Sequence, residues 1–403
     1  MGSFQRDRPE CGIWRFSETY SLVLGLGALR QALAAARRTW QQIEEEGQSL
    51  PGDSRSQVQG NNAIQQLAST INTWQGRLLD QEQRVTQWVV SAVNLAETDD
   101  LIEETDQLLD ETDRRARETR RGLAAMALLD AFTAALSVPP QDRDAVGNPV
   151  VKREGSVSDP ASGWPWEMVH EASGIVLVLA PAGEFEMGSP AGEAGRDDDE
   201  GPLHKVRFDW PFYLGKYEVT QEQWERVMGS NPSLLKGESR RPVECVSWTG
   251  AQGFVSKLNE SLGGAAGLRF ALPSEAQWEY GCRAGTTTRF SSGDHDSRLG
   301  QYGWYTGNAL GQPHRVGEKQ PNGWGLYDMH GNVREWCSDW YGIYPGGDVT
   351  DPKRPSSGSN RVFRGGGWYC DAQDCRSANR DRNSPSCTSN DLGFRVALVL
   401  QQA

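Results

Sequence analysis

The sequence predicts an α+β protein. An N-terminal α-helical coiled coil or bundle is followed by a domain with little regular secondary structure. Three observations carry this. Apolar residues recur at spacings of three and four through the first 137 residues. Past residue 160 the chain becomes rich in Trp and Gly, which pairs large flat packing units with a turn-rich backbone. Between these regions lies a polar stretch of breakers. At 403 residues, two domains are the natural division. The formal net charge of -13 argues against a nucleic-acid partner, whose phosphates require a basic face. No apolar run approaches membrane-spanning length.

Residues 1–14 read as loose. A first heptad seam then runs through Phe16, Leu22, Leu26, Leu29, Leu33, Ala36, Trp40 and Ile43, and Gly47 and Pro51 end it. A second seam follows Ile64, Leu67, Ile71, Trp74, Leu78, Val85, Trp88, Ala92 and Leu95. A third, weaker helix spans about Asp99 to Leu136. Helices 1–137 thus predict a bundle or coiled coil, suited to self-association or to holding a partner. This third contains no His and no catalytic constellation. Residues 138–164 read as a linker, punctuated by Pro139-Pro140, Gly147-Asn-Pro149, Gly155 and Asp159-Pro160.

The second domain, 165–403, opens with the apolar strand Val176-Leu-Val-Leu-Ala180. Asp197-Asp-Asp-Glu200 reads as a solvated acidic loop, with a second cation site as the alternative. Thr220, with Gln221 and Gln223 behind it, and Ser274, with Glu275 and Gln277, are helix caps. They predict short helices from Thr220 to Met228 and from Ser274 to Cys282. Near the C-terminus, Arg361-Val-Phe-Arg-Gly-Gly-Gly-Trp368 and Leu392-Gly-Phe-Arg-Val-Ala-Leu398 are strand-like. The stretch between them, 369–391, contains no Lys, Glu, Met or Trp and has little to bury. Rigid strands on both sides make it a surface laid out for contact.

Several ordered blocks carry a resemblance to a known family. These are Leu272-Pro-Ser-Glu-Ala-Gln-Trp-Glu-Tyr280, Arg283-Ala-Gly285, Asn322-Gly-Trp-Gly-Leu-Tyr-Asp-Met-His-Gly-Asn-Val-Arg-Glu-Trp336 and Ser338-Asp-Trp340. Together they resemble the formylglycine-generating enzyme (sulfatase-modifying factor) family over about residues 170–400. The resemblance implies a C-type-lectin-like domain. It also implies an activity: two cysteines with four residues between them bind copper(I) and activate oxygen in those enzymes, and Cys370 and Cys375 have that spacing. The registers disagree, however. Counting from the glycines, Cys370 takes the first position. Counting back from Arg376-Ser-Ala-Asn-Arg380, the second position falls near Ala372. Asn332, Val333 and Glu335 match a calcium-binding segment of the resembled enzymes.

The chain is most similar to another group with this fold, the variable proteins of diversity-generating retroelements. Their frame resembles Arg364–Trp368, Cys375–Arg380 and Gly393–Arg395. In that system adenine-directed copying turns AAC codons into many residues, but never Lys, Glu, Gln, Met or Trp. The positions this implies as variable are Tyr369, Cys370, Asp371, Asp374, Asp381, Arg382, Asn383, Ser384, Ser386, Cys387, Thr388, Ser389, Asn390 and Asp391, all reachable from AAC. Tyr, Ser, Asn and Asp also suit an adaptable binding face, with Tyr369 and Arg382 as its anchors. The implied function is display of a variable surface to a protein or other macromolecular ligand, with no cofactor required. A copper oxidase and a non-catalytic adaptor of the same family are the alternatives.

The seven Cys are scattered, with no CxxC, which fits a reducing, cytoplasmic compartment. Tyr20 to Leu29 lacks the cleavage-site break of a signal peptide. The five His show no metal-ligand spacing.

Overall fold

The computed structural model describes residues 136–137, 143–144, 147–153, 158–159, 162, 164–262, 268–352 and 356–400. The three predicted helical seams lie outside these residues, save the expected end of the third at Leu136, which is in a strand instead. The described residues belong to one compact unit, Ala124–Ala403.

Its centre is a six-stranded sheet. In spatial order the strands are β1 (Leu136–Ser137), β2 (Glu167–His170), β3 (Ile175–Ala180), β6 (Phe212–Gly215), β13 (Ala397–Leu400) and β7 (Leu268–Ala271). All its pairings are antiparallel. Every residue of β3 is buried, which explains its unbroken apolar run. Period-two geometry divides its side chains. Ile175, Leu177 and Leu179 enter one core with Tyr213, Phe254 and Phe394, while Val178 and Ala180 enter a second with Phe212, Leu214 and Trp278.

Three helices close these cores. They are α1 (Gln221–Met228), α2 (Trp248–Ser261) and α3 (Glu275–Arg283). Thr220 and Ser274 each form a capping box with the Gln three residues on, as their sequence predicts. α1 stops at Gly229, whose φ of 83° only a residue tolerant of left-handed backbone accepts. α3 is almost wholly buried and carries Glu275, Glu279 and Arg283 inward.

A second sheet holds the C-terminal segment, in the order β11 (Arg380–Asn383), β10 (Arg361–Arg364), β8 (Arg334–Trp340) and β12 (Leu392–Gly393). β12 pairs parallel to β8, and the other pairs are antiparallel. A third, small sheet joins β4 (Gly183–Met187), β5 (His204–Phe208) and β9 (Val349–Thr350). After β10 the chain turns through Gly365 and Gly366, makes a 3-10 turn at Ala372–Cys375, and returns as edge strand β11. Gly366 has φ 68°, and a Cβ there would lie 2.6 Å from Cys375 Sγ, so this turn admits no side chain.

Parts of the expected linker pack on the domain. Lys216 is fully buried and its Nζ lies 2.7 Å from Asp144 Oδ2 and 3.0 Å from Glu167 Oε2. It also donates to Pro149 O, and Tyr217 Oη donates to Asp144. The Arg153 guanidinium sits 4.2 Å from the Trp166 ring centroid.

Candidate functional site

Burial divides the C-terminal segment in two. Arg364, Cys375, Arg376, Ser377, Ala378, Arg380 and Arg395 are buried. Tyr369, Asp371, Asp381, Arg382, Asn383, Ser386 and Thr388 are exposed, Tyr369 at 73%. Asp374, Ser384, Cys387, Ser389 and Asn390 are half-buried. The frame therefore packs inward while seven of the fourteen positions face water and five more are half-buried.

The frame is held by buried ion pairs with distant elements. Arg376 donates to Glu200 at 2.5 and 2.8 Å and to Glu193 at 2.8 Å. Arg380 donates to both oxygens of Glu275 at 2.7 Å and to the carbonyls of Asp199 and Gly342. Arg364 pairs with Glu279, and Arg395 holds both oxygens of Glu335 at 2.7 Å. These fork-to-carboxylate contacts satisfy charges that burial alone would disfavour. None of them depends on a side chain at the fourteen positions. The acidic loop differs from its expectation here: Glu200 is buried against Arg376 rather than solvated, because the frame needs its charge.

Above this frame opens a cleft of about 480 Å³. Asp374, Asp381 and Arg382 line it together with Asp197, Asp198, Asp199, Arg334, Tyr341 and the buried Arg364 and Arg380. Sequence reasoning missed Tyr341 and assigned no contact role to the Asp197–Asp199 stretch. These residues lie far from 369–391 in the chain, and only the fold brings them there. The remaining candidates lie outside the cleft. Tyr369 packs edge-on against Trp368. The Ser384–Asp391 loop lies against α2 and the segment before it, through Thr249 N to Pro385 O and Cys245 N to Ser389 O.

Two of the fourteen are not on the surface. Cys370 is 3% exposed and packs with Cys375, Phe290 and Leu299. Asp391 is 7% exposed, with Arg334 3.6 Å away and Ser389 bonded to it. Both are corrections to the expected face. Cys370 joins Cys375 in the apolar cluster beneath the turn, and Asp391 closes the loop on Arg334.

The cysteine pair offers two soft donors within one small cluster. Burial pushes both thiols up, Cys375 well above the ordinary range. Arg334 Nε donates to Cys370 Sγ at 3.2 Å, and neither cysteine lines the cleft.

The expected calcium ligands are buried, but their side chains are largely taken. Asn332 donates to Glu218 at 2.7 Å and accepts from His314 N. Val333 N donates to Glu218 at 2.9 Å. Glu335 is held by Arg395 and by Trp278 Nε1. The orphan is Asp328, whose Oδ1 is buried without a hydrogen-bond partner. Burial is the main reason its carboxyl is pushed up to about 7, with Glu335 adding to it. Glu218 is pushed well above the ordinary range by burial and by Asp328 and Glu335. Burial and crowding of carboxylates around the Arg395 guanidinium thus favour the neutral forms of Asp328 and Glu218. Of the carboxylates in this cluster, Asp328 has an oxygen left without a partner, whereas both oxygens of Glu335 are bonded. Among the described residues no group of three or more His, Cys, Asp or Glu side chains could hold a metal ion.

Beneath the turn, His330 is buried. Ser291 N donates to its Nε2 at 3.0 Å, which leaves Nδ1–H to donate to Cys375 O at 2.9 Å. Burial lowers its pKa to about 4 and keeps it neutral.

Residues 168–400 match the sulfatase-modifying factor enzyme 1-like domain. The chain is 32% identical over 253 residues to a serine/threonine-protein kinase pkn1 of Chlamydia pneumoniae, using 55% of this chain and 37% of the kinase. It therefore spans little more than a third of that relative. It is 29% identical to the formylglycine-generating enzyme of Mus musculus, over 55% of this chain and 74% of the enzyme. Among solved structures, Treponema denticola variable protein 1 superposes with a TM-score of 0.51 at 31% identity, covering 55% of this chain and 94% of that protein. The mixed sheets and few helices match a C-type-lectin-like domain.

Proposed function

The chain belongs to the sulfatase-modifying factor enzyme 1-like family, and from that premise we propose that it is a ligand-binding variable protein of a diversity-generating retroelement. The observation that carries this reading is the division of 369–391 by burial. Exposed positions are those whose residues suit adaptable contact, and the buried Arg376 and Arg380 are ion-paired to the rest of the domain. A surface can be rewritten without loss of fold only where its side chains take no part in the core. The likeness to Treponema denticola variable protein 1 supports the same reading.

The ligand is a protein or other macromolecule. It would meet the cleft through Asp374, Asp381 and Arg382 and its surroundings through Tyr369 and the Ser384–Asn390 loop. A bound calcium ion would lie at the Asn332, Val333 and Glu335 segment, with Asp328 Oδ1 as an unpartnered oxygen beside it. The compartment that fits the thiol usage is cytoplasmic, and the helical segment before the domain would serve self-association or a partner. The test is a display library with the seven exposed positions randomised. It should yield binders to unrelated proteins at undiminished folding yield. Collapse of the library's folded fraction would exclude the reading.

One observation favours the copper oxidase as a second reading: Cys370 and Cys375 share one small cluster. Copper(I) titration with thiol quantitation separates the two. The binding reading predicts no stoichiometric copper at the pair, and tight uptake lost in both Cys370→Ser and Cys375→Ser would favour the oxidase.

A further inference from the structure

We propose that the cleft contains a cation subsite, built from Tyr341 and Asp199 and filled in this chain by its own Arg382. The residue at 382 then decides whether the cleft accepts an arginine side chain from a protein ligand. This deepens the binding-surface reading and rests on it.

The Arg382 guanidinium lies 3.9 Å from the Tyr341 ring centroid, and its Nη1 is 3.5 Å from Asp199 Oδ2. Tyr341 Oη donates to that same oxygen at 2.6 Å, which fixes ring and carboxylate as one unit. Asp199 Oδ1 is buried and accepts no hydrogen bond, so the carboxylate has unused capacity. Arg380 also approaches the Tyr341 ring, at 4.7 Å, but both its forks are committed to Glu275 and to backbone carbonyls. It cannot serve as an occupant. Aromatic face and carboxylate together are the surroundings in which a guanidinium binds best. Asp197, Asp198, Asp374 and Asp381 add negative charge to the cleft.

Tyr341 and Asp199 lie outside 369–391, whereas Arg382 lies within it. Arg382 is also only lightly held, with its side chain 44% exposed. A short residue at 382 leaves the ring and carboxylate in place and opens the position above them. With Arg at 382 the subsite is self-occupied and the cleft excludes a second cation. With Ser or Asn it takes one from the ligand.

The full chain and its Arg382→Ser variant are titrated calorimetrically with N-acetyl-arginine methylamide and, in a second arm, with spermidine. The variant should bind the arginine probe at least about tenfold more tightly than the parent, the scale of one cation–π contact with its carboxylate. Asp199→Asn or Tyr341→Leu in the Arg382→Ser background should remove the gain, with thermal melts verifying that each protein is folded. Equal affinity of parent and variant overturns the proposal, as does a gain that survives both second substitutions. A gain for spermidine alone overturns the assignment to a peptide guanidinium. The probes are small molecules, so the result stands whether or not a macromolecular ligand is ever found, and the two readings fail separately.

Discussion

Arg376 and Thr388 sit twelve residues apart and should respond oppositely to mutation. Arg376 is wholly buried between Glu200 and Glu193. Arg376→Ala strands two carboxylates and should cost about 3–5 kcal/mol in denaturant unfolding. Thr388 is exposed, and Thr388→Ala should stay within about 0.5 kcal/mol. Asp328 makes a different prediction. With its unpartnered Oδ1 as a calcium donor, calcium should raise the melting temperature of the full chain over that in chelator. Asp328→Asn should abolish the calcium response without lowering the melting temperature in chelator, since it removes buried repulsion. A calcium response unchanged in that variant would remove Asp328 from the site. The sequence disclosed the donor types around 328–335 but not which were free. That depends on Arg395 reaching Glu335 from 60 residues away, which no local pattern records. The burial of Cys370 was equally hidden, because a Cys in a polar run looks the same whether it points in or out.

The elements with local causes were the legible ones. The caps at Thr220 and Ser274 are written in the residues beside them, and α1 and α3 begin where those residues place them. Ser274→Ala should cost about 1 kcal/mol. Its effect should reach the frame, since α3 carries Glu275 and Glu279 to Arg380 and Arg364. β3 was legible as a strand, while its two cores were not, because an apolar run does not say what covers each face. β2 makes a pH-dependent contribution through His170, which is buried between Ser173 and Ser261. Burial lowers its pKa from 6.5 to about 4. The unfolded chain therefore binds more protons between those values. This contribution is complete above about pH 6.5 and is lost as pH falls toward 4, by up to about 3 kcal/mol. His170→Gln should flatten the stability profile across that window relative to the parent. An unchanged slope would mean that His170 is already charged in the fold.

At the scale of the whole domain, three sheets and three helices converge on a frame of arginines, and the stretch they hold is the one the composition singled out. The acidic loop at 197–200 and Tyr341 reach it only through folding, so the sequence showed half of the cleft, the half that lies between the two framing strands. The central claim is that the positions facing water in 369–391 are rewritten while the frame is kept. The most direct measurement is to sequence the DNA flanking this gene, together with the gene itself in a population of cells. The account predicts a nearby near-copy of the codons for 361–397 with AAC at the variable positions, a reverse-transcriptase gene beside it, and differences among cells confined to those codons. Flanking DNA with no such copy, and differences scattered through codons for residues such as Arg376 and Arg380, would contradict it.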